Sequence, residues 1–207
     1  KNIKIGSQFE RKLNLNNFKD SEKFYNRRYE GDYMEDWSKE KKERLFEIFR
    51  EINLPEYGDA LDFGCGNGVL TEIIRKALPK WKIYGTDLST NAIFNAKNRF
   101  PNCIFFDVSS EKYQNKKFDL VFTNHVFEHV FNIKETFNKM DKFLKNKSYM
   151  LHFLPCGNKG SYEYNLCKLR NDGINHKVGN RFFYEDEGHV RRLTSKEFVN
   201  LASLKKF

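Results

Sequence analysis

The sequence predicts an α/β fold: a doubly wound, mostly parallel sheet with helices on both faces. Three observations predict it. From residue 60 onward, short apolar runs alternate with stretches whose apolar residues recur three or four positions apart, the pattern of strand–helix–strand units. The first run leads directly into "GCGNG" (64–68), three glycines in five residues. The next two runs each close on or near an acid, Asp87 and Asp107.

In chain order, "FYNRRYEGDYMEDW" (24–37) reads as a lid. The overlapping "EDWSKEKKERLFEIFREIN" (35–53) reads as an amphipathic helix with Trp37, Leu45, Ile48, Phe49 and Ile52 on one face. Five buried strands follow: "ALDF" (60–63), "KIYGTDL" (82–88), "CIFFDV" (103–108), "FDLVFTN" (118–124) and "SYMLHFLP" (148–155). Helices are expected over 69–78, 89–99 and 133–144, the last with Ile133, Phe137, Met140 and Leu144 on its apolar stripe. Right-handed crossovers between such strands make the sheet parallel. After a long polar stretch (156–192), "TSKEFVNLASL" opens on a capping box, Thr194 or Ser195 ahead of Glu197. Three regions result: a helical cap over 1–58, a ligand-binding α/β core over 59–155, and a substrate-binding insertion with a C-terminal helix over 156–207. The final helix would normally lead into further strands, so the core is expected to be truncated.

Composition narrows the classes. With 207 residues, 39% hydrophobic and 16% aromatic, the chain can bury a core. No run approaches the roughly 18 apolar residues of a membrane span, and "KNIKIGSQFERK" has no signal-peptide apolar stretch, so a cytoplasmic protein without a membrane partner is expected. Four cysteines (Cys65, Cys103, Cys156, Cys167) show no CxxC pair and no zinc-type spacing, which predicts free thiols and no metal. The net charge of +9 is uneven: residues 1–60 carry 13 basic and 13 acidic groups, residues 121–207 carry 15 and 9. No dense Lys/Arg run appears, so a solvated surplus or an anionic small-molecule substrate explains the charge better than a nucleic-acid partner.

In an open parallel sheet the ligand crevice lies at the carboxyl ends of the strands. The "GCGNG" loop ends the first strand and opens a helix, so Gly64, Cys65, Gly66 and Gly68 fall there. Asp87, 21 residues after Gly66, is placed to accept both hydroxyls of a ribose, and Asp107 to accept an adenine amino group, with Val108 beside the ring. The glycines run G-x-G-x-G with Val69 in the third position of the dinucleotide fingerprint, and no Arg or Lys follows at once. Such a loop suits a nucleoside ligand without phosphates.

In order, "LDFGCGNG", "IYGTDLS", "FFDVSS" and "FDLVFTNHVFEHV" resemble the motifs of class I S-adenosylmethionine-dependent methyltransferases over roughly residues 55–155. The likeness extends weakly to "GHVRRLTSKEF" (188–198). It implies a Rossmann-like methyltransferase fold and S-adenosyl-L-methionine as cofactor. Asp62 and the glycines would shape the pocket for its methionine part, Asp87 with Leu88 would hold the ribose, Asp107 with Val108 the adenine, and Asn124 and His125 would line the crevice. "KNKS" (145–148) stands where the family usually has a Pro-Gly-Gly turn before strand five. The lid brings Tyr25, Arg28 and Tyr29 toward the methionine carboxylate.

Among the histidines, His125 is the candidate catalytic base, beside the crevice. The 156–192 stretch supplies candidate substrate contacts in Tyr162, Tyr164, His176, Arg181, Tyr184, His189 and Arg191. A "DPPY"-type base-amino methylation motif is absent. The predicted function is therefore O-methylation of a small polar metabolite, sugar- or phosphate-bearing. Nucleic-acid or protein methylation, or a non-catalytic cofactor-binding module, are the alternatives.

Overall fold

The computed structural model describes residues 18–31, 33–130, 132–169 and 193–203. Two helices precede the sheet, α1 (Phe18–Tyr29) and α2 (Lys39–Glu51). The elements β1 (Asp59–Phe63), α3 (Val69–Ala77), β2 (Lys82–Asp87), α4 (Thr90–Arg99), β3 (Ile104–Asp107) and β4 (Phe118–Asn124) come next. The chain continues through α5 (Ile133–Asp141), β5 (Leu144–Phe153), α6 (Tyr162–Leu169) and α7 (Ser195–Ser203). The five strands form one sheet in the order β3-β2-β1-β4-β5, so the order reverses beside β1. The pairs β1–β2, β1–β4 and β2–β3 are parallel. The Phe118 N–H donates to Phe143 C=O, and the His125 N–H to Phe153 C=O, so β5 runs the same way as β4. This is the doubly wound sheet expected from the alternation.

The described residues divide into two compact units: Phe18–Asn124 with Asn138–His152, and His125–Phe137 with 153–169 and 193–203. In the first, consecutive buried residues along β1 and β4 show that both sheet faces are covered, which is why these strands read as unbroken apolar runs. Phe49 of α2 packs edge-on against Phe122 of β4 with ring centroids 5.3 Å apart, and Phe118 and Phe122 are fully buried. In the second unit, Phe127 stacks on Phe137 at 4.8 Å, and Phe198 of α7 meets Phe127 edge-on at 4.9 Å.

Several boundaries differ from expectation for local reasons. The second helix starts at Lys39, because Ser38 caps it by accepting the Lys41 N–H; Trp37 falls outside, under the Lys41 ammonium. Leu45 and Phe49 are the buried pair of its predicted face. The fifth helix stops at Asp141 rather than Leu144, and β5 begins at Leu144 rather than Ser148. "KNKS" thus lies within the strand, where Lys147 takes a left-handed φ of 61° and Ser148 bonds back to Lys145 C=O. A single 3-10 turn (Glu111–Tyr113) interrupts the predicted loop after β3, with the Tyr113 ring stacked on Phe106. The capping box at α7 forms with Thr194 as the cap: the Glu197 N–H donates to Thr194 Oγ1, and the Thr194 N–H donates to the Glu197 carboxylate.

Candidate active site

The glycine loop sits where β1 ends and α3 begins, and two of its glycines, Gly66 and Gly68, each have a steric reason. Gly68 takes φ 79° at the helix N-cap, and a Cβ there would meet the Phe105 ring at 2.7 Å and Ala96 Cβ at 3.0 Å. Gly66 takes φ 52°, and a Cβ there would meet the Tyr29 hydroxyl at 2.7 Å. Cys65 lies buried with Ile93, Ala96, Cys103 and Phe105, a thiol used as a small core side chain whose burial pushes its pKa well up.

Four of the loop's backbone donors are bonded within the fold. The N–H groups of Gly64 and Cys65 both go to Thr86 C=O, that of Gly66 to Asp87 Oδ2 at 2.8 Å, and that of Gly68 to Cys65 C=O. A phosphate cradle needs such donors free. This loop offers backbone shape and the Asp87 carboxylate instead, which fits the reading of a nucleoside ligand without phosphates.

Asp87 ends β2. Its Oδ1 accepts the Ser89 N–H at 2.9 Å while Oδ2 holds Gly66. Burial pushes its carboxyl up, and the backbone bonds from Ser89, Gly66 and Leu88 oppose that. An ionised carboxylate has about four acceptor sites, so with these three bonds about one remains, enough to accept a ribose hydroxyl. Asp62 lies one layer beneath, 3% exposed, with the Thr71 hydroxyl donating to its Oδ2 at 2.6 Å. Burial raises its pKa to about 7, against the pull of Thr71 and with help from the Asp87 charge. Asp62 is therefore a buried side chain rather than a solvent-facing contact.

Asp107 ends β3 and its Oδ1 accepts the Ser109 N–H at 2.7 Å and the Ser109 hydroxyl, the bond pattern of a turn former; Val108 beside it is half-buried. Leu88 is likewise half-buried. Asn124, at the end of β4, carries a buried Nδ2 with no hydrogen-bond partner among the described residues. A buried amide donor left open at a strand's carboxyl end is what a ligand acceptor would satisfy.

On α1, Tyr29 is buried against Gly66, and burial followed by the Asp87 charge raises its pKa well above the usual phenol value. The Arg28 guanidinium lies 3.5 Å from the centre of the Tyr33 ring and 5.4 Å from that of Phe24, so its side chain is stacked among aromatics. Tyr25 meets Phe24 edge-on at 5.0 Å. Around them lie polar residues that sequence reasoning did not assign: Asn26, Asn67 and Asn95. Asn67 Nδ2 donates to Tyr33 C=O at 3.2 Å, and Asn95 Nδ2 donates to Asn67 Oδ1 and Tyr29 C=O, each at 3.3 Å. Asn67, buried in the middle of the glycine loop, was the one available signal: an amide there needs partners.

His125 belongs to the other unit. It takes a left-handed φ of 54°, uncommon outside glycine, and its Nδ1 lies 2.8 Å from Glu128 Oε1. Glu128 is 1% exposed, with His129 Nε2 4.0 Å from the same oxygen. Burial pushes the Glu128 carboxyl up, but the bond from His125 and the charges of His129 and His125 hold it below the usual value. A buried carboxylate on Nδ1 fixes the ring and leaves Nε2 as its working face. His152 of β5 lies 2.8 Å from the Thr123 hydroxyl, and burial lowers its pKa to about 4, so it is neutral at pH 7.

On α6, Tyr162 is exposed and Tyr164 half-buried. His176, Arg181, Tyr184, His189 and Arg191 lie outside the described residues. Among the described residues no three His, Cys, Asp or Glu side chains cluster as metal ligands, and no helix is long and apolar enough to cross a membrane.

A sheet order that reverses beside β1, a glycine loop at that point and an acid ending β2 define a Rossmann-like nucleoside-binding protein. Comparison with known proteins narrows the class. Residues 61–150 match the model of a methyltransferase domain family. The chain is 30% identical over 161 residues to malonyl-[acyl-carrier protein] O-methyltransferase 1 of Ilyobacter polytropus, covering 76% of this chain and 58% of that one. It is 31% identical over 86 residues to trans-aconitate 2-methyltransferase of Variovorax paradoxus, covering 41% and 33%. Among solved structures, the plantazolicin methyltransferase BpumL in complex with a pentazolic desmethylPZN analog and SAH superimposes with a TM-score of 0.60 at 18% identity, over 97% of this chain and 76% of that one. Residues 61–150 thus carry a methyltransferase domain, and the relatives and the fold support the class I S-adenosylmethionine-dependent family for it. The chain spans 36–58% of the length of three malonyl-[acyl-carrier protein] methyltransferases that it matches.

Proposed function

We propose that the chain is the catalytic part of an S-adenosylmethionine-dependent O-methyltransferase whose acceptor is an anionic small molecule, with a carboxylate as the first acceptor class to test. The observation that carries the cofactor reading is the Asp87 carboxylate, which ends β2, is tied to the loop through Gly66 and keeps about one acceptor site for a ribose hydroxyl. The buried, open Asn124 amide supports it. The relatives' names support the acceptor class: malonyl half-thioester and trans-aconitate both carry carboxylates. Sugar- or phosphate-bearing acceptors, favoured by the charge of +9, come second.

The bound cofactor supplies a sulfonium methyl group: an acceptor oxygen lone pair forms the O–CH3 bond as the S–CH3 bond breaks, and that bond's electrons neutralise the sulfonium. The chain's part is mainly positioning, which can be worth several kcal/mol of barrier. Asp87 and Asn124 orient the nucleoside, Asp107 with Val108 frames the base, and Tyr25, Arg28 and the glycine loop border the amino-acid end. A carboxylate acceptor is already ionised near neutral pH, so it needs no proton removed. In that case His125, held by Glu128, touches and orients the acceptor; with a hydroxyl acceptor the same nitrogen would serve as base. Tyr162, Tyr164, His176, Arg181, Tyr184, His189 and Arg191 remain proposed acceptor contacts.

The test uses cofactor carrying a radiolabelled methyl group and a panel of carboxylic acids, acyl-carrier-bound malonate, sugars and phosphosugars. Methyl esters release volatile label in mild alkali, whereas ethers and N-methyl groups keep it. Alkali-labile label on an acid supports the reading. Stable label on sugars alone would move the acceptor class to hydroxyls, and no transfer to any acceptor, with no cofactor binding, would overturn the reading.

A further inference from the structure

We propose that Asn26 is a positioning residue for the cofactor acid, setting Asp87 through a relay that starts on the N-terminal helix. The inference rests on the cofactor reading above. Asn26 Oδ1 accepts the Ser89 hydroxyl at 2.7 Å, with the Asn91 N–H and the Thr90 hydroxyl at 3.3 Å. Ser89 in turn caps α4 by accepting the Ala92 N–H at 3.1 Å, while its own N–H goes to Asp87 Oδ1 at 2.9 Å. The other Asp87 oxygen takes the Gly66 N–H. One chain of hydrogen bonds therefore runs from α1 through the cap of α4 to the acid and on to the glycine loop. Asn91 Nδ2 closes it by donating to Asn26 C=O at 3.0 Å.

Three features make this more than packing. Ser89 is fully buried, so its hydroxyl proton needs a fixed acceptor, and Asn26 supplies it across 63 positions of sequence. With that proton committed to Asn26, the Ser89 oxygen lone pairs are aimed at Ala92, which fixes the cap and with it the direction of the Ser89 N–H. Every donor on the Asn26 side chain's oxygen is a hydroxyl or backbone N–H at the start of a helix, so a carboxylate in its place would serve as well or better. Asn26 touches no part of the loop itself; it acts through Ser89 on Asp87.

The experiment measures binding of S-adenosylhomocysteine by calorimetry to the wild type, N26A and N26D, with a thermal melt of each free protein. Wild-type binding tests the cofactor reading by itself. Given that binding, N26A is expected to weaken it about 5- to 20-fold, the scale of one or two lost hydrogen bonds. N26D, which keeps the acceptor, should stay within about twofold of the wild type. Should N26A fail to fold, N26S, whose shorter side chain falls out of reach of Ser89, takes its place with the same expectation. Wild-type affinity in the truncated variant would overturn the proposal. Equal loss in N26D would do so too, because a role in packing alone does not distinguish acid from alanine.

Discussion

The Gly66 N–H donates to Asp87 Oδ2 across 2.8 Å, so the acid that ends the second strand also holds the loop that ends the first. Sequence spacing places Asp87 as a ribose acceptor; the structure adds that it is a structural tie. Removing it therefore has two costs.

D87A is expected to lower the stability of the free protein by about 1–3 kcal/mol, since the buried Gly66 N–H and the Ser89 N–H both lose their acceptor. It should also weaken S-adenosylhomocysteine binding about 10- to 100-fold, the scale of hydrogen bonds to a charged acceptor. Denaturant melts and calorimetry read the two effects separately. Full stability with full affinity would show that the ribose is held elsewhere.

Asp62 carries a pH signature. Its carboxyl is raised from 3.8 to about 7, chiefly by burial. The folded state then binds its proton more tightly than the unfolded state, so the contribution of Asp62 to stability falls as pH rises between about 4 and about 7, and levels off above that. D62N removes the titration and leaves a carbonyl oxygen for Thr71. The difference in unfolding free energy, D62N minus wild type, should therefore rise across this window by on the order of 1–3 kcal/mol. A flat difference would mean that Asp62 is ionised in the folded protein at pH 5.

Much of the fold was legible because both-face burial writes unbroken apolar runs, and the strands before Asp87 and Asp107 stand out for that reason. The loop glycines and Asp87 were legible through spacing. The bonds around them were not: Asn26 meets Ser89, and Asn67 meets Tyr33 and Asn95, across tens of positions, and an asparagine that bonds a distant cap leaves no periodic trace. The start of β5 was hidden differently. "KNKS" has the polarity of a turn, and only Lys147 bending through φ 61° lets the strand run through it. His125 was chosen by its place after β4, while its partner Glu128 needed the left-handed turn at His125 to be seen.

That pair yields a kinetic prediction. H125N keeps a residue that tolerates left-handed backbone while removing the ring. With a carboxylate acceptor no proton has to leave, so kcat should fall less than about tenfold, with the larger loss in the acceptor KM. A fall in kcat of about 100-fold or more would mark His125 as a base acting on a hydroxyl acceptor. E128Q is expected to destabilise the protein at pH 7 by about 1–3 kcal/mol, through the loss of the charge-assisted bond to His125. Because the folded Glu128 pKa is lowered, its contribution is present above the ordinary carboxyl value and lost as pH falls through the lowered one. The gap between E128Q and wild type should therefore close in acid.

The choice of ligand is the remaining prediction, and the loop's hydrogen bonds decide it. A dinucleotide needs backbone N–H groups free at a helix N-terminus to meet its pyrophosphate. Here Gly64 and Cys65 give theirs to Thr86, Gly66 to Asp87 and Gly68 to Cys65, so a pyrophosphate seated on those four groups would have to displace bonds that hold the loop together. It would also bring its negative charges beside Asp87. S-adenosylmethionine and S-adenosylhomocysteine carry no phosphate, and their ribose hydroxyls are donors, matched to the Asp87 carboxylate. At about 100 times its dissociation constant, S-adenosylhomocysteine should add about 2.7 kcal/mol to the unfolding free energy and raise the melting temperature by several degrees. NAD at the same concentration should leave the melt unchanged. D87A should abolish most of the shift at a fixed ligand concentration. Equal stabilisation by NAD would mean that the loop opens its donors on binding.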